Sequence, residues 1–412
     1  MKHIIITSLL ILSSLMVRAD ERLVLVQVED QNHLYTLFEN QDLTIHYYSD
    51  AFIIASLAEG KTVAQSVVLD EKAFSDTRGY FIVYCPPAQR QSYLTDVQHA
   101  GKLLYANDWT LIMKPLDETQ QLHPAKNDGM VFISQRKASL PKRSIDFPVI
   151  TEEDPIILNL VEKVDADNII ANIQTMQDFG TRRCNKEGSV VAQNWIKGEY
   201  ESYGLDVSLH KIPDTYPWWG GGKVLSDNVI AIQYGTQYPD EYIICGGHYD
   251  SFAFSGATEP GADDNASGTA GIMEIARILS QYELQRSIIY CAFTAEECGL
   301  YGSEYYAQKC SNDGLNVLGY FNLDMIGYLK PGTPVHVSLI YPSFAAPLAN
   351  YNNNITDIYF PNIPITSYPG LSGGDSDHTS FNQNGIYGIW TFEDWQYDSP
   401  HIHTSNDLSD PA

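Results

Sequence analysis

The sequence predicts an α/β protein built on a mainly parallel, mixed sheet with helices on both faces, preceded by a smaller β-rich N-terminal unit. Three observations predict it. From Pro155 onward, segments of helical period alternate with short β-rich apolar runs, the pattern of strand–helix–strand units. Those runs are apolar almost throughout, as strands covered on both faces are. Before that point the apolar runs are short and bounded by polar clusters, as in a strand-rich unit.

The elements follow in order. Arg22–Val28, Leu43–Tyr48, Phe52–Leu57, Gly79–Tyr84 and Trp109–Met113 read as strands of the first unit, residues 20–134. Residues 135–150 carry Arg136, Lys137, Lys142 and Arg143 with Pro141 and Pro148 and little periodicity, which reads as a linker and a candidate processing site. The first unit is therefore either a propeptide or a permanent accessory domain. In residues 151–412, Ile156–Phe179 reads as two helices split near Asp165–Asp167, and Ser189–Tyr203 as a helix stopped by Gly204. Strands are expected at Asn228–Tyr234, Tyr242–Gly247, Ser287–Thr294, Val317–Leu323, Pro334–Leu339 and Tyr387–Phe392. Helices are expected at Gly268–Gln281, Gly302–Gln308 and Phe344–Tyr351.

Bulk properties narrow the function. A length of 412 residues suits two domains. A net charge of -26 argues against nucleic acid and anionic membrane surfaces as partners, and gives a field that attracts substrates bearing a free ammonium group. Lys2 and His3 before the apolar run Ile4–Val17, then Val17-Arg18-Ala19, read as a signal peptide over residues 1–19 and predict a secreted or periplasmic protein. The apolar run is short for a membrane span and holds Thr7, Ser13 and Ser14. Of the six cysteines, Cys245 and Cys291 fall in apolar strands, where a buried thiol is expected. Cys85 is not placed; Cys184, Cys298 and Cys310 fall in loops or helix ends and are better placed to form a bridge, with connectivity open.

The chemistry concentrates in five segments: GGHYDS (246–251), GADDNASG (261–268), TAEECGLYGS (294–303), NLDMIGY (322–328) and HIHTSND (401–407). Each presents His, Asp or Glu near the expected C-terminal end of a strand or in a loop, where open α/β sheets place their sites. His248 follows two glycines, with Asp250 close enough to orient its imidazole. Asp263 and Asp264 precede a small-residue helix start; one can cap the helix, and a carboxylate there can also bridge two cations. Glu296 and Glu297 end an apolar strand, where adjacent acids are costly to bury without a cation. Neighbours on an extended segment point to opposite sides, so one can bind metal while the other faces water. Asp324 ends another apolar run. For a final ligand, spacing leaves His378, His401 and His403 open. His33, His46, His99 and His123 are scattered through the N-terminal half and form no constellation.

These segments together resemble the M28 family of zinc aminopeptidases, in its bacterial leucyl-aminopeptidase-like branch, over roughly residues 150–410. The resemblance implies a zinc-exopeptidase fold and two Zn2+ ions. It assigns His248 and Asp324 to one ion, Glu297 and His403 to the other, and Asp264 as the bridge between them. It makes Glu296 the general base and Asp250 the partner of the His248 imidazole, with Asp377 in a similar supporting place. It implies a cis peptide at Asp264–Asn265, and peptides with a free N-terminus as substrates. The chain departs from the family in two places. The usual Tyr near the last ligand is replaced by Ile402, with Tyr368 as a candidate substitute for stabilising the oxyanion. The family usually continues with a helix after the last ligand loop, whereas this sequence stops at Ala412. Either the sequence is trimmed or another part, such as the N-terminal unit, fills that place.

Other readings are weaker. A glutaminyl cyclase of the same fold shares the HYDS segment, but works with one zinc, and a metallo-carboxypeptidase or dipeptidase shares the metal site. Gly370-Leu371-Ser372-Gly373-Gly374 fits a serine-hydrolase motif, yet Pro364 and Pro369 precede it where a strand is required. Trp218-Trp219-Gly220-Gly221-Gly222-Lys223 lacks the hydroxyl residue of a phosphate loop and reads as a pocket wall or a turn.

Overall fold

The computed structural model describes residues 21–76, 79–85, 90–116, 130–141, 145–214, 223–253, 258–370 and 376–409. Residues 1–19, read above as a signal peptide, the Trp218–Gly222 stretch and residues 371–375 of the serine-hydrolase motif lie outside these. No described helix is long and apolar enough to cross a membrane.

The first unit contains two four-stranded sheets. One is made of β1 (Arg22–Gln27), β2 (Leu43–Tyr48), β3 (Phe52–Leu57) and β4 (Ser66–Asp70), with α1 (Gln31–Glu39) after β1. The other is made of β5 (Tyr80–Tyr84), β6 (Gly101–Ala106), β7 (Thr110–Pro115) and β8 (Met130–Ile133), with α2 (Arg90–Ala100) after β5. Their strand orders are β2-β3-β1-β4 and β6-β7-β5-β8, and all pairings are antiparallel. Leu23, Leu25 and Ile54 of one sheet share a core with Tyr80, Ile82 and Ile112 of the other. The sequence reading found five of these strands and missed β4, β6, β8 and both helices. Among its described side chains the α2 segment buries Tyr93, Val97 and Ala100, with Leu94 half-buried beside them, so its apolar period is short.

The remaining chain runs α3 (Pro155–Val161), α4 (Ala166–Asp178), α5 (Glu187–Ser202), β9 (Asp206–His210), β10 (Asn228–Gln233) and β11 (Tyr238–His248). It continues with α6 (Gly268–Leu279), β12 (Arg286–Phe293), α7 (Tyr301–Asn312), β13 (Asn316–Leu323) and β14 (Val337–Tyr341). Then come α8 (Ala346–Tyr359), β15 (Ile365–Pro369), α9 (His378–Gln383) and β16 (Gly388–Phe392). Asp154 and Asp165 cap α3 and α4 through side-chain bonds to backbone N–H groups, which explains the break between the two helices.

The eight strands β9–β16 form one sheet of order β15-β14-β16-β13-β11-β12-β10-β9. Its centre, β12-β11-β13-β16, is parallel; β9, β10 and the β14–β16 pair are antiparallel. Helices cover both faces. On β12, Ile288, Tyr290 and Ala292 pack with α4, α5 and α6, while Ile289, Cys291 and Phe293 pack with α7 and Phe381 of α9. That alternation is the two-residue period of a strand buried on both sides. Two glycines let the N-terminus of α6 close on the sheet. A Cβ on Gly247 or Gly268 would stand 2.4 or 2.1 Å from the Leu323 carbonyl oxygen.

The first unit packs onto this sheet and onto the turn that follows β12. Val24, Ile53 and Leu57 share a core with Leu339, Phe344, Leu348 and Ile389. Phe81, Val83 and Leu111 pack with Ala295, Cys298 and Tyr301. Residues 135–141, within the stretch expected to be a linker, are also engaged: the Ala138 N–H bonds the Ile45 carbonyl at 2.8 Å, and Ser139 pairs with Asn384.

Candidate metal centre

Three parallel strands deliver their C-terminal ends to one place. His248 is the last residue of β11, Glu296 and Glu297 lie in the turn after β12, and Asp324 follows β13. The turn before α6 adds Asp264, and the C-terminal loop adds His403. Ala295, Met325 and His403 each hold a positive φ of 57°, 52° and 53°, uncommon for non-glycine residues, and each is a metal-site residue or its direct neighbour.

Asp264 stands between two imidazoles. Its Oδ1 lies 3.2 Å from His248 Nε2 and its Oδ2 lies 3.0 Å from His403 Nε2. Asp324 Oδ1 is 3.5 Å from His248 Nε2, and Glu297 Oε2 is 3.1 Å from His403 Nε2. Potential ligand atoms of His248, Asp264 and Asp324 lie within 4.8 Å of one another, and so do those of Asp264, Glu297 and His403. Glu296 Oε2 sits 3.9 Å from His248 Nε2, beside both sets. Glu297 Oε1 and Asp324 Oδ1 are buried without a hydrogen-bond donor. Buried carboxylate oxygens in that state, next to two imidazoles, fit divalent cations.

The electrostatics carry the same sign of strain. Burial raises the Glu296 carboxyl well above the ordinary range; His248 opposes this, and Glu297 adds to it. Burial also pushes Glu297 up to about 7 against the pull of His403. Burial works to raise Asp264 too, but its bonds to His248 and His403 overrule that and hold it low. Divalent cations between these groups would stabilise all the charged carboxylates together.

The adjacent Asp263 does not join the cluster. Its Oδ1 accepts the Gly327 N–H at 2.9 Å, and its carboxyl is driven up to about 7 by burial and by Asp407. His378 is buried beside Trp390, with ring centroids 5.5 Å apart, and burial pulls it down to about 3. Neither His378 nor His401 belongs to a group of potential ligands among the described residues. Tyr368 lies in β15 with its ring 6.3 Å from Trp395, in the apolar cluster of Met325 and Ile402.

Surrounding residues orient the cluster. His248 Nδ1 is 3.1 Å from the Asp250 backbone carbonyl and 3.5 Å from its carboxylate. The carboxylate also accepts the Glu296 N–H at 3.1 Å, so Asp250 ties the His248 strand end to the Glu296 turn. Either acceptor places the proton on Nδ1 and leaves Nε2 facing the carboxylates. The Asp264–Asn265 peptide is cis. The Asn265 side chain donates to the Leu323 carbonyl at 3.0 Å and accepts the Gly268 and Met325 N–H groups at 2.8 and 3.2 Å.

Several contributors were not identified from the sequence. Ser376 donates to Asp324 Oδ2, a supporting contact next to the expected Asp377, whose own carboxyl is fully buried. Trp390 Nε1 donates to the Asp324 carbonyl at 3.0 Å. Arg182 is fully buried and donates to the carbonyls of Met176, Tyr249, Pro260 and Gly261, holding the segment just before Asp264. Asp407 accepts the backbone N–H groups of Asp263 and Asp264. Ser376 stands beside Asp377 and His378, and Asp407 ends the HIHTSND segment, whereas Arg182 and Trp390 carried no sequence signal.

Two His and four carboxylates are gathered beside the C-terminal ends of the parallel strands, a donor set that suits divalent cations. Residues 228–411, which contain every residue of the cluster, match the model of Peptidase family M28. A probable zinc metalloprotease of Pyrenophora teres f. teres is 34% identical over 188 residues, 41% of this chain and 38% of that protein. The chain therefore spans well under half the length of that curated relative. Leucine aminopeptidase 1 of Pyrenophora tritici-repentis is 27% identical over 285 residues, 64% of this chain and 70% of that protein. The crystal structure of LapB from Legionella pneumophila shares the fold, with a TM-score of 0.63 at 22% identity over 80% of this chain and 93% of that one.

Proposed function

We propose that this chain is an exported, dinuclear zinc aminopeptidase that hydrolyses the N-terminal bond of peptides. One observation carries the reading: the two oxygens of Asp264 each face a different imidazole, at 3.2 and 3.0 Å, and each imidazole has its own further carboxylate. His248 and Asp324 would hold one zinc ion, Glu297 and His403 the other, and Asp264 both. When bound, such a pair acidifies water and polarises a peptide carbonyl. Glu296 takes the proton of the attacking water and returns it to the leaving amine. Asp250 keeps the His248 tautomer fixed and positions the Glu296 backbone. The acidic surroundings favour the free ammonium group of a peptide N-terminus. The aminopeptidase relative supports this substrate class.

The test is release of leucine from leucyl-p-nitroanilide by the purified chain, after chelation and again after zinc is restored. Activity that disappears and returns, and is absent on the N-acetylated substrate, supports the reading. Silence in every metal state sinks it. Cyclisation of N-terminal glutamine, or cleavage confined to C-terminal residues or dipeptides, would replace it with the cyclase, carboxypeptidase or dipeptidase reading.

A further inference from the structure

Cys298 directly follows Glu297, and its Sγ lies 3.0 Å from the Sγ of Cys184. That is roughly 1 Å longer than the bond of a disulfide, about 2.05 Å. Both side chains are buried, at 4% and 0% exposure, in the core where the second N-terminal sheet meets the turn after β12. Cys245, Cys291 and Cys310 are packed in or beside the large sheet, and Cys85 lies in the same core as the pair.

The two loops are the ones that position the metal centre. Cys184 lies two residues after Arg182, whose guanidinium holds the Pro260 and Gly261 carbonyls ahead of Asp264. Cys298 ends the Glu296–Glu297 pair, and the next residue, Gly299, bonds back from its N–H to the Glu296 carbonyl at 2.7 Å. We infer that Cys184 and Cys298 are a disulfide-forming pair that covalently fastens the turn bearing Glu296 and Glu297 to the loop that anchors the bridging Asp264.

The reaction is thiol–disulfide exchange with an external disulfide oxidant. One cysteine sulfur displaces a thiol from the oxidant, the second cysteine sulfur displaces the other, and the Cys184–Cys298 bond forms. Two protons and two electrons pass to the oxidant, which leaves as two thiols. Such a bond persists in an oxidising compartment. The inference therefore agrees with the export reading, while its test is independent of where the protein resides and of any enzymatic activity.

The full chain is equilibrated with oxidised glutathione in one sample and with dithiothreitol in another. Free thiols are then blocked with iodoacetamide, and the protein is digested and mapped by mass spectrometry. The expected result is a linked peptide joining Cys184 to Cys298 in the oxidised sample, with two of the six thiols protected and all six alkylated after reduction. The oxidised form should melt higher by about 5 °C or more, as closing a long loop predicts. The variants C184S and C298S should remove that difference while each still folds with one thiol of the pair. Six free thiols in the oxidised sample, or a link that instead uses Cys85, overturns the inference. An unchanged melting temperature on reduction overturns the fastening role.

Discussion

Asp407 grips Asp264 by its backbone: its Oδ2 accepts the Asp264 N–H at 3.0 Å, while its Oδ1 takes the N–H of Asp263 at 2.8 Å. Asp407 is itself almost fully buried. In D407N one of those two N–H groups must face an amide NH2 instead of an acceptor. The variant is expected to bind zinc about 10- to 100-fold more weakly, the size of effect seen for residues that orient metal ligands. Competition with a chromogenic chelator reads this directly.

Glu296 is the one acid of the cluster given a proton-transfer role and no zinc. In E296Q the rate should fall by about 100- to 10,000-fold, with zinc content unchanged. Steady-state kinetics beside elemental analysis of the same sample checks both halves. A parallel loss of metal would reassign Glu296 as a ligand.

Asp264 and His403 should separate by stoichiometry. D264A removes the shared carboxylate and is expected to lose both ions, whereas H403A should retain about one per chain at His248 and Asp324. Equilibrium dialysis followed by elemental analysis gives the count.

Away from the site, Lys114 pairs with Asp70 at 3.0 Å and Asp76 at 3.2 Å, with the lysine largely buried. Burial works to raise the Asp70 carboxyl, but bonds from the Lys72 N–H, Lys114 and Tyr80 overrule it and set it below its ordinary value. A lowered folded-state value means stability that is present above the unfolded value, about 3.9, and that is lost as pH falls through the folded one. Urea melts between pH 5 and pH 2 should show this acid slope in the native chain and less of it in D70N. At neutral pH, D70N should cost about 1–3 kcal/mol, because it leaves the lysine without one of its two carboxylates.

Much of the large sheet was legible because its strands are apolar runs with ligand residues at their C-terminal ends. Ile288 through Phe293 could only be a strand covered on both faces. The cluster residues were legible as types, but not always as choices. Nothing in spacing separates His403 from His378 and His401; the resemblance selects His403, and the fold puts it beside Asp264 and buries His378 against Trp390. Arg182, Ser376 and Asp407 escaped notice because they act on backbone groups or on one carboxylate oxygen far away in sequence: Ser376 reaches Asp324 across 52 residues, and Asp407 reaches Asp264 across 143. In the N-terminal unit, α2 was missed because its apolar period is short, and β8 is a strand of four residues that has no alternation of its own to read.

The turn that carries Glu296 and Glu297 is roofed by the first unit. Leu300 is buried in the core between the two N-terminal sheets, and Gly299, at a φ of 93°, lies against the β8 backbone, where a Cβ would stand 3.4 Å from Phe132. Arg136 extends the contact by pairing with Glu304 at 3.2 Å and lying over the Tyr305 ring at 3.7 Å. The consequence is cooperative melting. The described part of the first unit and the turn bearing Glu296 and Glu297 share side chains that cannot be wetted separately, so calorimetry of the intact chain should show the two parts unfolding in one transition rather than in sequence.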